Sequence, residues 1–329
     1  MENCFNIMLL QLSRKYCIAP KNHIKYLINK GLKMLHPDNY RENWSKISTT
    51  PTKHITNAEN YTPPIRASLW IVTYNNKEDL QNNLQSLFDN YDPSCFELSV
   101  NIINNHTNFH IAQKWENKVK VWHNVLRPDT SVGHLGRNWN EAIMAGFGSL
   151  ANPNVDIVIT AQDDVIWLPQ WTNILLQAHA KYSFITQGHG DAVVSYLPQA
   201  VRRIGLWDER YSPSFYAEGD YFLRALMYNR EESSINDLGH GRQWNIMEEK
   251  IIQIPEANFN RNEAKHHTLT KAAFPFAVWY LKWNVNPTHW TQELLDNLPT
   301  STLTPNIVMY PHFEMDVEDL VGKNYAIRF

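Results

Sequence analysis

The fold is decided by residues 65–88, which read IRASLWIVTYNNKEDLQNNLQSLF. Residues 68–72 (SLWIV) are apolar from Leu69 to Val72, which is typical of a strand buried on both faces of a sheet. Apolar residues then recur at helical spacing and predict a helix whose inner stripe faces that strand: Leu80, Leu84, Leu87 and Phe88. A buried strand followed by an amphipathic helix is the first half of a β-α-β unit.

The same alternation continues along the chain. We predict further strands at residues 98–103, 119–122 and 156–160, and a helix at 139–147. This rhythm predicts an α/β protein with a mostly parallel, doubly wound sheet flanked by helices. In such sheets ligands bind beyond the carboxyl ends of the strands, so the polar residues that follow the strands are the candidate site.

The composition fits a globular enzyme and excludes several other classes. The chain has 329 residues, of which 43% are hydrophobic and 19% charged, so it can bury a sizeable core. Its formal net charge of −3 gives no electrostatic basis for nucleic-acid binding. Three cysteines without C-x-x-C spacing indicate neither a disulfide framework nor a thiolate zinc site. We find no signal peptide or transmembrane segment and expect a cytoplasmic protein.

The first 64 residues differ from the rest and form a predicted N-terminal extension. They carry nine Lys and Arg against four Asp and Glu, and residues 21–35 predict a basic amphipathic helix. Such a helix either packs on the body of the protein, which we favour, or makes a peripheral contact with an anionic membrane. Residues 36–64 lose this periodicity and predict a linker. We expect one domain over 65–285 and a C-terminal extension over 286–329.

Polar side chains follow the predicted strands. The strand at 156–160 leads into Gln162-Asp163-Asp164, and two adjacent carboxylates there repel each other. A hard divalent cation that bridges to a diphosphate would relieve this repulsion. An Asp-Asp pair also occurs in many loops as part of a solvated turn. By itself the pair is weak evidence of a metal site, so its interpretation depends on the other segments of the sequence.

Taken in order, several segments resemble glycosyltransferase family 2 over about residues 66–285. Its nucleotide-sugar half is similar to the segments 69–75 (LWIVTYN), 102–107 (IINNHT), 136–138 (GRN) and 162–164 (QDD). The segment 204–211 (IGLWDERY) resembles its acceptor side. Residues 217–220 (AEGD), with Arg224 after them, resemble its acidic motif.

The resemblance implies a GT-A fold, with a nucleotide-sugar half at 65–165 and an acceptor half at 166–285. It implies an inverting, metal-dependent glycosyltransferase that uses Mn²⁺ or Mg²⁺. Such an enzyme moves a hexosyl or pentosyl group from a nucleotide-sugar donor, with a UDP-sugar favoured, to a hydroxyl of a glycan or glycoconjugate acceptor.

The resemblance also implies roles for single residues. Asp164 stands at the usual metal-ligand position, and His240 is the favoured second ligand over His266 and His267. Glu218 is favoured as the catalytic base that takes the proton of the acceptor hydroxyl, with Asp220 as its rival. The predicted nucleotide-sugar-binding residues are Thr73, Tyr74, Asn75, Asn104, Arg137, Gln162 and Asp163. The predicted acceptor-binding residues are Trp207 and Asp208.

Two departures from the family pattern keep other functions open. Gln162 and Asn104 stand where the family usually has aspartates. A catalytically degenerate protein that serves as a glycan-binding or scaffold subunit is one alternative. A sugar nucleotidyltransferase is the other, although the first predicted strand lacks the Gly-rich basic loop that a triphosphate needs.

Overall fold

The computed structural model describes residues 64–124, 135–150, 152–180, 182–187, 191–211, 217–222, 225, 250–255 and 278–279. The predicted N-terminal helix and the C-terminal extension lie outside these ranges. The domain boundaries therefore stay predictions. Among the described residues no helix is long and apolar enough to cross a membrane.

The described strands are β1 (Ile65–Thr73), β2 (Phe96–Asn104), β3 (Val119–His123), β4 (Ile157–Gln162), β5 (Ile166–Trp167), β6 (Phe184–Gln187), β7 (Val193–Tyr196) and β8 (Ile252–Gln253). The described helices are α1 (Lys77–Asp89), α2 (Leu135–Phe147), α3 (Trp171–His179) and α4 (Pro198–Ile204). A 3₁₀ turn spans Gln113–Trp115, and residues 217–222 are helical.

Six of the described strands form one sheet in the order β3-β2-β1-β4-β7-β6. The neighbours from β3 to β4 pair in parallel, whereas β7 runs antiparallel to both β4 and β6. Strands β5 and β8 form a separate antiparallel pair. The predicted α/β class with a mostly parallel central sheet is confirmed.

Strand β1 is buried on both faces because helices cover both sides of the sheet. Trp70 and Val72 pack on one face together with residues of α2 and α4. Leu69 and Ile71 pack on the other face with residues of α1 and α3. The apolar run of β1 is therefore buried in the sheet, and the inner stripe of α1 faces it, as the sequence periodicity predicts.

Helix α2 lies especially close to the sheet at Gly146. A Cβ atom added to this glycine would lie 2.5 Å from Cγ2 of Val158 in β4 and 3.3 Å from the indole nitrogen of Trp70 in β1. No larger residue fits without a shift of the helix or the strand. Gly146 therefore sets how deeply α2 seats on the sheet.

The strand register brings the candidate polar residues to one edge. In the parallel part, Thr73 pairs with Asn104, and Val72 pairs with Gln162, so the carboxyl ends of β1, β2 and β4 are level. Strand β7 starts at the same edge because it is antiparallel, and the amide of Gln162 donates to the carbonyl of Ala192 at 2.9 Å. Asp191, which precedes Ala192, is thereby placed beside Gln162.

Candidate functional site

The turn after β4 carries two buried or partly buried carboxylates. Asp164 is 4% exposed. Oδ1 of Asp163 accepts a hydrogen bond from Nδ2 of Asn76, the residue before α1, at 3.2 Å. Its other oxygen, Oδ2, is buried and accepts no hydrogen bond from the residues that the structure describes. This oxygen is chemically suited to a hard cation.

The electrostatics of this turn also favour a cation. Burial raises the pKa of Asp163 to about 7, and the negative charge of Asp164 adds to the effect. Hydrogen bonds with the side chains of Thr73 and Asn76 act in the opposite direction and lower this pKa. A carboxyl group in this position holds its charge poorly unless a positive charge is near. The two adjacent carboxylates thus fit a divalent cation in their donor chemistry.

A third carboxylate, that of Asp191, closes the site on the β7 side. Nε2 of Gln162 donates to its Oδ1 at 2.7 Å, and the indole N–H of Trp139 in α2 donates to its Oδ2 at 2.6 Å. Asp191 and Trp139 are both buried. Burial raises the pKa of Asp191, whereas the hydrogen bonds from Trp139 and Gln162 lower it. The end of β4, the start of β7 and helix α2 are tied together at this carboxylate.

Glu218 lies in the helical stretch 217–222 and is partly buried. Burial raises its pKa to about 8, and the negative charge of Asp191 is the next cause. Of these two carboxyl groups, Asp191 accepts two N–H hydrogen bonds, which favour its ionised form. With a pKa of about 8, Glu218 holds a proton near neutral pH. Two acidic groups with separated proton affinities are typical of acid-base sites.

Asp220, the rival base, has a different environment. Its side chain has no exposed surface, and its negative charge is among the causes that raise the pKa of Arg210. The next two residues, Tyr221 and Phe222, pack in the hydrophobic core. Glu218 is partly exposed and next to Asp191, so it is better placed than Asp220 to meet a substrate.

The residues after β1 lie at the same edge of the sheet. Thr73 is buried, and its carbonyl accepts from the amide of Asn105 at 3.1 Å. Tyr74 is 47% exposed, and its ring meets the ring of His106 edge to face at 5.1 Å between centroids. Asn75 is exposed and has a φ of 52°, a left-handed conformation that asparagine tolerates. The exposed Tyr74 ring is the aromatic surface at this edge.

Asn104 holds the loop after β2 together. It is buried, its Nδ2 donates to the carbonyl of His106 at 2.8 Å and lies 3.0 Å from Nδ1 of His123, and its Oδ1 accepts from the amide of His106 at 3.0 Å. All of its polar atoms are thus engaged within the protein. The amide faces inward to the loop, and its contact with the nucleotide base stays a prediction.

Arg137 lies in the first turn of α2 and is partly buried. Asn124, directly after β3, donates to Oδ1 of Asn138 at 3.4 Å and also to the carboxylate of Glu141. These bonds tie the start of α2 to the carboxyl edge of the sheet. Arg137 therefore stands at the edge that carries the carboxylates.

The two residues predicted to contact the acceptor, Trp207 and Asp208, are both buried, and that role stays a prediction. Trp207 is fully buried, is stacked on Tyr221 with centroids 4.4 Å apart, and donates from its indole N–H to the Tyr196 hydroxyl at 2.9 Å. Asp208 is buried and accepts from Arg210 at 2.5 and 2.7 Å. Both side chains belong to the packing of the core.

His240 and its rivals His266 and His267 lie outside the described residues, as does Arg224. Within the described ranges, no group of three or more His, Cys, Asp or Glu is placed to hold a metal ion. The described part of the chain thus offers a cation the adjacent carboxylates of Asp163 and Asp164.

Three polar residues of the site were not predicted from the sequence: Asn76, Trp139 and Asp191. Asp191 ends a polar segment, Gly188-His189-Gly190-Asp191, whose sequence fits an acceptor loop and a plain turn equally well. Its place beside Gln162 follows from the antiparallel pairing of β7, which no sequence periodicity indicates. Trp139 reads as a core residue, and the sequence does not show that its N–H has an acidic partner.

The chain matches no family model and no curated protein sequence. Solved structures of similar fold include a mannosyltransferase, PcManGT, from Pyrobaculum calidifontis in complex with GDP-Man and Mn²⁺. It is 12% identical, with 61% of this chain and 62% of that chain covered and a TM-score of 0.36.

Two further solved structures also match this chain. Residues 1–349 of TarS from S. aureus are 14% identical, with 50% of this chain and 56% of that chain covered and a TM-score of 0.37. Glucosyl-3-phosphoglycerate synthase from Mycobacterium tuberculosis, in complex with Mn²⁺, UDP and glucosyl-3-phosphoglycerate, is 9% identical, with 53% and 68% covered and a TM-score of 0.37.

The chain spans 62% and 56% of the first two of these structures. By name, the first of the three is a mannosyltransferase and the third a glucosyl-3-phosphoglycerate synthase. These are remote likenesses of fold, so the case for an activity rests on the residues of the site.

Proposed function

We propose that the protein is an inverting, metal-dependent glycosyltransferase. It moves a sugar from a nucleotide-sugar donor, with a UDP-sugar favoured, to a hydroxyl of a glycan or glycoconjugate. One observation carries the proposal. Asp163 and Asp164 follow the carboxyl end of β4, where doubly wound sheets bind their ligands, and Asp191 is hydrogen-bonded to Gln162 at that end and acts by its charge on Glu218.

The donor lies along the edge formed by the ends of β1 and β4 and the start of α2. Tyr74 offers its exposed ring to the base, with Thr73 and Asn75 on either side in the chain. Arg137 neutralises a phosphate, because a guanidinium at a helix start adds its charge to that of the helix dipole. Specificity for the base then depends on the loop that Asn104 holds together.

Asp164 and Asp163 would hold Mn²⁺ or Mg²⁺, with His240 as the proposed further ligand. A bound cation there would neutralise the charge that develops on the departing diphosphate. The protein contributes the two adjacent carboxylates and the turn that fixes them. Gln162 replaces an aspartate of the family pattern, so the site has one negative charge fewer for the cation.

Glu218 is the proposed base. It takes the proton from the acceptor hydroxyl while that oxygen attacks the anomeric carbon, and the diphosphate leaves on the opposite side, which inverts the configuration. Its raised pKa suits this task, because a base whose pKa is near the working pH is effective once ionised. The charge of Asp191 adds to the effect of burial in raising the pKa of Glu218.

A second function, a glycan-binding or scaffold protein without turnover, is favoured by one observation. The buried Asn104 replaces an aspartate and directs its amide into its own loop, which leaves the base without that contact. Turnover separates the two functions.

Donor hydrolysis tests the proposal without knowledge of the acceptor, because water can replace the acceptor hydroxyl. The protein is incubated with α-linked UDP-sugars and Mn²⁺, and the first sugar released is observed by proton NMR. We expect the β-anomer, since water attacks C1 from the side opposite to the departing UDP. Release of the α-anomer would contradict inversion, and no release from UDP-, GDP- or dTDP-sugars would favour the binding protein.

A further inference from the structure

The side-chain amide of Gln162 is held by a short chain of hydrogen bonds. The indole N–H of Trp139 donates to Oδ2 of Asp191, and Nε2 of Gln162 donates to Oδ1 of the same carboxylate. An indole nitrogen can only donate, so Oδ2 of Asp191 accepts from Trp139. The amide nitrogen Nε2 of Gln162 is likewise the donor in the bond to Oδ1.

This direction decides which end of the Gln162 amide faces away from Asp191. Because Nε2 of Gln162 faces Asp191, the oxygen Oε1 of the same amide faces away from Asp191. The side chain is partly exposed, and among the described residues no group donates to Oε1. A hydrogen-bond acceptor is thus held ready at the carboxyl end of β4, one residue before Asp163.

We propose that Asp191 is a positioning residue, which orients Gln162 so that Oε1 accepts a hydrogen bond from an O–H group of the bound donor. The O–H group belongs either to the ribose or to a water on the donor's cation. The inference rests on the proposed function. It also explains why position 162 is an amide, since a carboxylate there would set two acceptors against each other at Asp191.

The consequences of Asp191→Asn follow from the same chemistry. Trp139 still needs an acceptor, so the oxygen of the new amide faces Trp139 and its NH₂ group faces Gln162. Gln162 must then turn its oxygen inward and present its NH₂ group to the donor, which reverses the polarity of the contact. Asp191→Asn also removes a negative charge, and the test must separate the two effects.

A double-mutant cycle separates them. The Kd of UDP is measured by calorimetry with Mn²⁺ for the wild type, Asp191→Asn, Gln162→Met and the double variant. We expect Gln162→Met to weaken binding by about tenfold, the equivalent of one good hydrogen bond. Asp191→Asn should weaken it by a similar factor when Gln162 is present and by a clearly smaller one in the Gln162→Met background, where the loss of charge alone acts.

A swapped pair provides the rescue. Asp191→Asn combined with Gln162→Glu keeps the net charge, lets the new amide donate to the new carboxylate, and leaves a carboxylate oxygen facing the donor. We expect this variant to regain both the UDP affinity and the thermal unfolding midpoint lost in Asp191→Asn. The same loss of affinity for Asp191→Asn in both backgrounds, or no rescue, would overturn the inference.

Two further arms identify the O–H group. If it belongs to the ribose, the Gln162→Met penalty disappears with 2′-deoxy- or 3′-deoxy-UDP. If it belongs to a cation-bound water, the penalty disappears without Mn²⁺. A penalty that persists in both arms would contradict a contact between Oε1 and the donor.

The failure of the proposed function has a different signature. If the wild type binds none of UDP, GDP and dTDP, with or without Mn²⁺, the glycosyltransferase proposal fails. The proposed contact between Oε1 and the donor then fails as well. The unfolding midpoints of Asp191→Asn and the swapped pair still show whether Asp191 orients Gln162.

Discussion

The indole N–H of Trp139 donates to Oδ2 of Asp191 at 2.6 Å, although 52 residues separate the two in the chain. This bond joins helix α2, which packs on one face of the sheet, to the start of the antiparallel strand β7. The buried carboxyl group of Asp191 also accepts from Gln162 and is thus held at the end of β4. After burial, its charge is the next cause of the raised pKa of Glu218, the proposed base.

Replacement of Glu218 by glutamine tests the proposed base. Glu218→Gln keeps the size of the side chain and removes its ability to take a proton. We expect donor affinity to stay near that of the wild type and turnover to fall by about 10²–10⁴-fold, the usual contribution of a general base. Asp220→Asn is the comparison, and because Asp220 is buried we expect it to lower the unfolding midpoint. Near-normal turnover of Glu218→Gln would move the role of base to Asp220.

The pH dependence of turnover follows from the raised pKa of Glu218. The base must be ionised to work, and burial together with the charge of Asp191 raises its pKa to about 8. We therefore expect kcat/KM to rise with pH, with an apparent pKa near 8, and to level off above it. A rate already at its plateau at pH 6 would show that Glu218 is not the titrating base.

Removal of the Asp164 carboxylate should abolish the response to the cation. We expect Asp164→Ala to bind UDP equally weakly with and without Mn²⁺, while circular dichroism shows an unchanged fold. Asp156→Ala is the matched control. Asp156 precedes the same strand at its opposite end, where its carboxylate accepts from the guanidinium and the backbone amide of Arg66. We expect Asp156→Ala to lower the unfolding midpoint and to leave the response of UDP binding to Mn²⁺ unchanged. An Asp164→Ala protein whose UDP affinity still rises with Mn²⁺ would contradict the proposed ligand.

His179 predicts a loss of stability in mild acid, independent of function. Its Nδ1 donates to the carbonyl of Tyr182 at 2.9 Å, so its Nε2 accepts from the Ser195 hydroxyl at 2.7 Å, and the ring is neutral and buried. Burial lowers its pKa from 6.5 to about 4. The unfolded chain therefore takes up the proton first as the pH falls.

The stability that the neutral His179 contributes is present above pH 6.5 and is lost as the pH falls from 6.5 to 4. The total loss is about 3 kcal/mol, at about 1.4 kcal/mol for each pKa unit. Urea unfolding at a series of pH values measures it, with His179→Gln as the control that lacks this titration. A slope that is the same for the wild type and His179→Gln would contradict a buried neutral imidazole.

The parallel half of the fold is predictable from the sequence because its signals are local. The predicted strand at 119–122 and helix at 139–147 correspond to β3 (Val119–His123) and α2 (Leu135–Phe147). Apolar periodicity fixes such elements within a few residues of their observed ends. The edge at which ligands bind then follows from the parallel topology.

The antiparallel strand and the packing of single side chains are not predictable in the same way. Strand β7 has four residues, and nothing in Val193–Tyr196 shows that it pairs beside β4 in reverse. Asp191 was missed for this reason. The burial of Trp207 and Asp208 is not predictable from their motif. A motif shows which residues are present, whereas burial depends on partners far along the chain such as Tyr196 and Asn140.

Calorimetric titration of the purified protein with UDP, GDP and dTDP, each with and without Mn²⁺, tests the central claim most directly. The carboxylates at the end of β4 should make nucleotide binding depend on the cation. We predict tight binding of one nucleotide, with UDP favoured, that collapses when Mn²⁺ is removed. If none of the three nucleotides bound with or without the cation, the proposed glycosyl transfer would be contradicted.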